Sequence, residues 1–421
     1  MTERPVAVNL SEREQFMDAL RGFAILGIFI VNLSGLSLYN PDNVSVGWHF
    51  GSLDKEMLFL QHLFLEGKFY SIFSLLFGWG LALQIKRTQP DTGKLRVHPV
   101  IIRRLVFMFL IGLIHLAVIW NGDIITLYAL VGFVLLLFIR IQPGKLVLIG
   151  VVSLLVPIVS YWFRIQAPIL NKPADFFHSV CQHLDSKLLG ISTAEDFANL
   201  LRRGSMRELL VYNFDGAFYR FGDLIFQSRF FKVLGMFLIG YALGTSGYFK
   251  MLLAGRWTLW ILAAIGLLIG LPANYLMAKF METPSNYERL TMEGFYQTIA
   301  YALGVAPLAL AYVSLLALLF RTTIGNQIIM LLTPVGKMAL TNYILHSLLG
   351  IVTFYGIGFG LMGTLGPIAW TVFALLVFAF QIIYSTIWLQ YFHFGPLEWV
   401  WRSLTYRKRQ PMIRESGILL N

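Results

Sequence analysis

The chain has 421 residues, of which 57% are hydrophobic and only 13% charged. Soluble domains carry about 25% charged residues, and apolar runs recur here from end to end, which excludes a soluble globular protein. The net charge of +11 sits in basic clusters between those runs, the pattern of a membrane protein's inner loops and not of a nucleic-acid-binding surface.

A membrane span needs about 20 apolar residues. Ten segments are read as spans: 20–39, 67–85, 101–120, 124–140, 145–165, 229–249, 256–277, 295–320, 328–354 and 368–390. Glu3, Glu12, Glu14 and Asp18 precede the first, which does not suit a cleavable signal peptide. In that first span Asp18 and Arg21 are three apart and can pair, and Asn32 lies about three turns further in on the Arg21 face. Arg21 is either an interfacial anchor or a ligand contact, and Asn32 either an interhelical bond or part of a site. Residues 52–66, with Leu53, Met57, Leu58, Leu60 and Phe64, form an amphipathic helix along the outer surface. Lys68 opens the second span on the side that should lack basic residues, either snorkelling or touching an anion or substrate. Gly78 and Gly80 are packing contacts.

The third span begins at Arg103 and Arg104 and carries His115. Eleven residues separate Arg104 from His115, which is about three helical turns and a rise of about 16 Å on one face. An ionisable group inside a membrane is a functional candidate, and histidine can take and return a proton near neutral pH. The alternatives are an anchoring Arg104 and a His115 that bonds a neighbouring carbonyl. Only Asn121-Gly122-Asp123 joins the third and fourth spans, so they form a tight hairpin. Asp123 either caps the fourth span or orients a histidine or a substrate hydroxyl.

Residues 166–228 are punctuated by Asn, Pro, Asp and Ser and divide the spans five and five. In the ninth span Asn342 and His346 are four apart and share a face, with Tyr343 and Ser347 beside them. They form either a site or an internal hydrogen-bond network. In the tail, Trp399, Trp401 and Tyr406 beside Arg402 and Lys408 read as an amphipathic helix on the cytoplasmic leaflet, with Glu398 and Arg402 spaced to pair. The single cysteine, Cys181, excludes an internal disulfide, and no HExxH, cysteine-pair, Walker or GxSxG pattern occurs, so no metal site is expected.

Loop charge orients the chain. With the N-terminus inside, the inner loops hold Lys86, Arg87, Lys94, Arg96, Arg103 and Arg104, then Arg140 and Lys145, then Lys250 and Arg256, then Arg321. The short outer loops 121–123 and 355–367 hold no Lys or Arg. The expectation is an all-α integral membrane protein of about ten transmembrane helices with both termini cytoplasmic. Its parts are an N-terminal five-span half, 1–165, an extracytoplasmic helical segment, 166–228, a C-terminal five-span half, 229–392, and a tail, 393–421.

Five motifs carry a resemblance: RxxxxDALRGFAILGIFIVN at 13–32, EGKFYSIFSLLFGWG at 66–80, RRLxxxxLIGLIHxxxIWNGDIIxxYALVG at 103–132, VGKMALTNYILHS at 335–347 and FHFGPLEWVWRSLTY at 392–406. The chain resembles the YeiB-like family of bacterial membrane proteins, domain of unknown function family 418. That family is in turn similar to the transmembrane acyltransferases, whose acyltransferase-3 type carries an Arg or Lys, ten residues, then His on an early span. Arg104 and His115 have that spacing.

The resemblance implies an enzyme of the bacterial cytoplasmic membrane. It would move an acyl group from cytoplasmic acyl-CoA, a co-substrate and not a bound cofactor, to a sugar-like or lipid-linked acceptor outside. Arg104 with Arg103 or Arg21 would hold the charged donor, and His115 would deprotonate the acceptor, with Asp123 and Lys68 holding it. Asn342 or Tyr343 would stabilise the oxyanion. Membrane lipids are the remaining partners expected. A transporter or exporter of a small molecule or lipid precursor is the competing class.

Overall fold

The computed structural model describes residues 10–37, 51–88, 97–246, 255–282 and 290–414. Glu3, Lys94, Arg96, Lys250, the ends 38–39 and 247–249 of two expected spans and the end of the tail lie outside these residues, as do the side chains of Glu12 and Glu14. In chain order the helices are α1 (Leu10–Ser37), α2 (Ser52–Phe64), α3 (Lys68–Arg87), α4 (Pro99–Ile114), α5 (Ile125–Leu135) and α6 (Pro143–Gln166). Then come α7 (Lys172–Leu184), α8 (Ala194–Arg203), α9 (Met206–Phe226), α10 (Arg229–Ser246), α11 (Arg256–Met281) and α12 (Met292–Phe320). The last are α13 (Thr323–Met330), α14 (Thr333–Lys337), α15 (Ala339–Phe354), α16 (Pro367–Tyr391) and α17 (Pro396–Tyr406). Among the described residues the only strand-like pairing is one bridge, Phe392 to Ile413. Hydrocarbon offers backbone groups no partners, so a chain this apolar satisfies them within helices.

Among the described residues, seven helical stretches are long and apolar enough to cross a membrane: 15–37, 52–87, 99–119, 143–166, 256–281, 292–320 and 367–391. Several turn apolar side chains outward, such as Leu148 at 63%, Leu268 at 78% and Leu376 at 67% exposure. That inside-out pattern suits lipid as the solvent. The protein is therefore a multi-pass helical membrane protein.

Three of the ten expected spans are not single long helices. Segment 124–140 shortens to the 11-residue α5. Segment 229–249 is represented by α10, joined to α9 through a bend of 68°, the shape of a broken span or a re-entrant loop. Segment 328–354 is divided among α13, α14 and α15, with Pro334 in the first turn of α14 and non-helical backbone at Met338. A hydropathy window counts apolar residues and is blind to such breaks. Segment 166–228 holds α7, α8 and α9. Its last helix, α9, packs against α10 and against the turn that follows α4, so it belongs to the bundle.

α1 runs through the interior, against α3, α14, α15 and α16. α3 and α10 approach backbone to backbone: a Cβ on Gly78 would strike the Phe237 backbone, and one on Gly240 the Leu75 backbone. The amphipathic α2 lies across α11 and α16, where Asp54 accepts the Ile368 N–H at 3.0 Å and Gln61 donates to Thr371 at 2.8 Å.

Candidate functional site

α4 does not end regularly. From His115 to Ile119 it widens into a π turn, closed by the Trp120 N–H on the His115 carbonyl at 2.8 Å. Such turns leave carbonyls unpaired and are frequent at functional sites. Asn213 of α9 supplies the missing donor, reaching the Val118 and Ile119 carbonyls at 3.3 and 3.0 Å. Arg220, two turns along α9, grips the Asp123 carbonyl through Nε and Nη2 at 3.1 and 3.0 Å. Gly216 between them lets α9 close on Asn121, whose side chain a Cβ there would strike.

The clamped turn brings His115 and Asp123 together. His115 is fully buried, with Nδ1 2.9 Å from Asp123 Oδ1 and Nε2 2.9 Å from Ser347 Oγ. An ionised carboxylate only accepts, so Nδ1 carries the proton and Nε2 presents its lone pair to the Ser347 hydroxyl. Asp123 is also the cap of α5: Oδ1 accepts the Ile125 N–H at 3.0 Å and Oδ2 the Thr126 N–H at 2.7 Å. The two readings of Asp123, cap or histidine orienter, are both realised. The Tyr343 ring stands 5.3 Å from His115, and its buried hydroxyl has no hydrogen-bond partner of normal geometry.

On the other side of Tyr343 lies a cavity of about 420 Å³. Ile101, Arg104, Met108 and Ile111 line it from one face of α4, so the Arg104 to His115 stripe does run along the cavity wall toward the histidine. Arg21, Gln84, Arg87, Lys337, Glu398 and Arg402 add polar groups around Arg104, while Phe77, Ile124 and Ile125 line an apolar part. Arg104 stacks on Trp401 at 3.8 Å, and the Trp401 indole donates to the Arg104 carbonyl at 2.9 Å. Arg21 is paired with Asp18. In the tail, α17 forms one wall of the cavity.

Other expected residues are elsewhere. Arg103 and Asn32 do not line the cavity, because they project from other faces of α4 and α1. Lys68 is fully buried and donates to the His62 carbonyl at 2.7 Å, closing the end of α2 and holding no acceptor beside His115. Asn342 and His346 face away from His115, since they lie one residue from Tyr343 and Ser347 on the helix. Asn342 donates to Ser385 at 3.2 Å, and His346 Nε2 meets Gln381 at 2.7 Å while its ring stacks on Phe29. They are the internal network. Glu398 does not pair with Arg402: its Oε1 accepts the Leu340 and Thr341 N–H groups at 2.6 and 3.0 Å, its Oε2 accepts the Thr341 hydroxyl, and together they cap α15. Arg402 instead stacks on Phe394, and Trp399 donates to the Gln410 carbonyl at 2.8 Å.

Sequence reasoning gave no role to Asn213 or Arg220, and placed Ser347 only in the polar cluster of the ninth span. Ser347 was legible, four residues after Tyr343 on its face. Nothing local announces that α9 returns to the π turn.

These features define a multi-pass helical membrane protein with a buried serine–histidine–aspartate chain beside an arginine-lined cavity. Comparison with known proteins gives its family. Residues 243–408 match the family described as "Protein of unknown function (DUF418)". The chain is 31% identical to the "Uncharacterized protein YxaH" of Bacillus subtilis (strain 168), over 99% of both chains. It is 29% identical to the "Uncharacterized protein YeiB" of Escherichia coli (strain K12), over 96% of this chain and 100% of that one. The chain belongs to this YeiB-like DUF418 family. No solved structure matches it.

Proposed function

We propose that the protein transfers an acyl group from acyl-CoA, bound in the arginine-lined cavity, to an acceptor across the membrane, with His115 as general base. The observation that carries this is the buried His115, oriented by Asp123 and holding a hydroxyl on Nε2. A base within hydrogen-bond reach of a hydroxyl, itself oriented by a third group, is the arrangement that activates an oxygen nucleophile. Arg104, Arg21 and Arg402 suit the donor's phosphates, and a cavity of about 420 Å³ falls in the range of small-molecule sites. The apolar stretch from Met108 to Tyr343 suits the acyl-pantetheine arm. Tyr343, whose buried hydroxyl makes no hydrogen bond of normal geometry among the described residues, would serve as donor to the thioester oxygen; Asn342 faces elsewhere. Both termini then lie in the cytoplasm, with the cavity mouth, of the bacterial inner membrane.

Transport of a small molecule or lipid precursor is the second reading, favoured by the broken helices α9–α10 and α13–α15, since carriers place sites at such breaks.

The test is thermal stability of the detergent-purified protein with acetyl-, propionyl- and longer acyl-CoA. A ligand at a hundred times its dissociation constant stabilises by about 2.7 kcal/mol. Acyl transfer requires a shift in the wild type that Arg104→Ala abolishes. His115→Ala keeps the shift and loses thioester turnover by about 100-fold or more, measured as released thiol. Folded protein that no thioester stabilises would leave transport as the working reading.

A further inference from the structure

A second cavity, of about 200 Å³, lies at the opposite end of the bundle. Glu66, just before the first turn of α3, lines it, whereas Gln84 and Arg87 in the last turns of α3 line the first cavity. The intervening α3 is 20 residues, or about 30 Å, long.

Three cations face this space: Arg164, Arg229 and Lys232. Arg164 is 5% exposed and, among the described residues, hydrogen-bonds only to neutral acceptors, Ser160 and Asn171 at 3.3 Å and Ser228 at 3.5 Å. Among the described residues Arg229 donates only to Gln227 Oε1, at 3.2 and 2.5 Å. Lys232 makes no hydrogen bond among the described residues and rests over the Tyr301 ring at 3.8 Å. None of the three has a carboxylate within ion-pair distance among the described residues. Glu66 is the one carboxylate lining the cavity, so three positive charges against one leave a surplus of two. Asp223, behind Gln227, pairs with Arg220 at 3.1 Å and also attracts Arg229 and Lys232; counted together with Arg220 it leaves the surplus at two, four cations against two carboxylates.

Uncompensated charge at this depth is costly, and an anion repays it best. The backbone is held to the task as well. Ser228 adopts a left-handed φ of 51°, unusual for a residue with a side chain, and so turns α9 into α10 with Arg229 and Lys232 on the cavity side.

We propose that this cavity is a binding site for a phosphate group, held by Arg164, Arg229 and Lys232. The size decides against a whole nucleotide: about 200 Å³ is below the usual range for drug-sized ligands, but it admits a phosphate. The surplus of two charges matches a phosphate dianion, and guanidinium forks fit its oxygens. The phosphate belongs either to a lipid headgroup or to a soluble phosphate. The site stands apart from acyl transfer, although hydrogen bonds from Arg229 through Gln227, Asp223 and Arg220 end on the Asp123 carbonyl.

The experiment is equilibrium binding of radiolabelled inorganic phosphate to the detergent-purified full chain. The expected result is saturable binding that Arg104→Gln leaves intact and that Lys232→Gln or Arg229→Gln weakens by about tenfold. Lys232→Arg restores it, which shows that charge and not folding is read. Absence of saturable phosphate binding to folded wild type overturns the proposal. So does binding indifferent to Lys232→Gln and Arg229→Gln but lost in Arg104→Gln. Nanodiscs of phosphatidylglycerol and of phosphatidylcholine separate the sources. Displacement of phosphate in the former alone assigns a lipid headgroup, and equal binding in both assigns a soluble phosphate. Because no acyl-CoA is used, the outcome does not depend on whether acyl transfer is correct.

Discussion

Asp123 directs one oxygen to both the imidazole and an amide, and the other to a second amide, so one residue couples the geometry of His115 to the start of α5. Glu398 does the same for α15 from the cavity side. Burial holds the Glu398 carboxyl above the usual carboxylate range, against the pull of the Thr341 hydroxyl and the Thr341 and Leu340 amides. A group whose pKa is raised on folding stabilises the fold when protonated. Glu398 therefore contributes stability at low pH and loses it as pH rises through its raised value. Melting temperatures should show a gain between neutral pH and the ordinary carboxylate range that is missing in Glu398→Gln. Identical pH profiles for the two proteins would remove Glu398 as the source. His115, Arg104 and Asp123 were legible as polar residues in an oily stretch, because an unneeded charge there is expensive. Whether each touched a partner was not, since that depends on atoms from other helices.

Among the elements, α9 is decisive. Asn213 serves the carbonyls that the π turn frees, and without it two backbone acceptors lie unpaired near the histidine. Asn213→Leu should cost about 1–3 kcal/mol, read as a lower melting temperature. It should also slow thioester turnover while leaving acyl-CoA stabilisation in place, because Asn213 does not line the cavity. A variant as stable and active as wild type would show that the π turn holds itself. The sequence reading placed α9 within the helical segment 166–228, outside the spans. Its buried side, with Leu209, Tyr212, Asn213 and Gly216, is only modestly apolar, so hydropathy gave no sign of its packing.

For the whole molecule, the two cavities sit at opposite ends of α3 and are separated by tyrosines. Tyr128 lines the first cavity and donates to the Tyr70 carbonyl at 2.9 Å, and the Tyr70 hydroxyl bonds that of Tyr301, which lines the second. Acyl transfer inward to outward needs the Arg104 mouth in the cytoplasm, with the tail beside it. A C-terminal fusion to green fluorescent protein should then fluoresce, and a C-terminal fusion to alkaline phosphatase should be inactive. The reverse pair of results would invert the donor and acceptor sides.

Sequence alone determined that the chain is a helical membrane protein, and it singled out the Arg104 to His115 stripe. Both follow from local rules: lipid demands apolar length and internal hydrogen bonds, and a helix returns to one face after eleven residues. Only the tertiary structure decided that Ser347 completes the histidine's bonds, that Asn342 and His346 belong to a separate network, and that Arg164, Arg229 and Lys232 share a cavity. Those pairings join residues tens to hundreds of positions apart, and the breaks between α9 and α10 and along α13–α15 set them, which no pattern along the chain encodes.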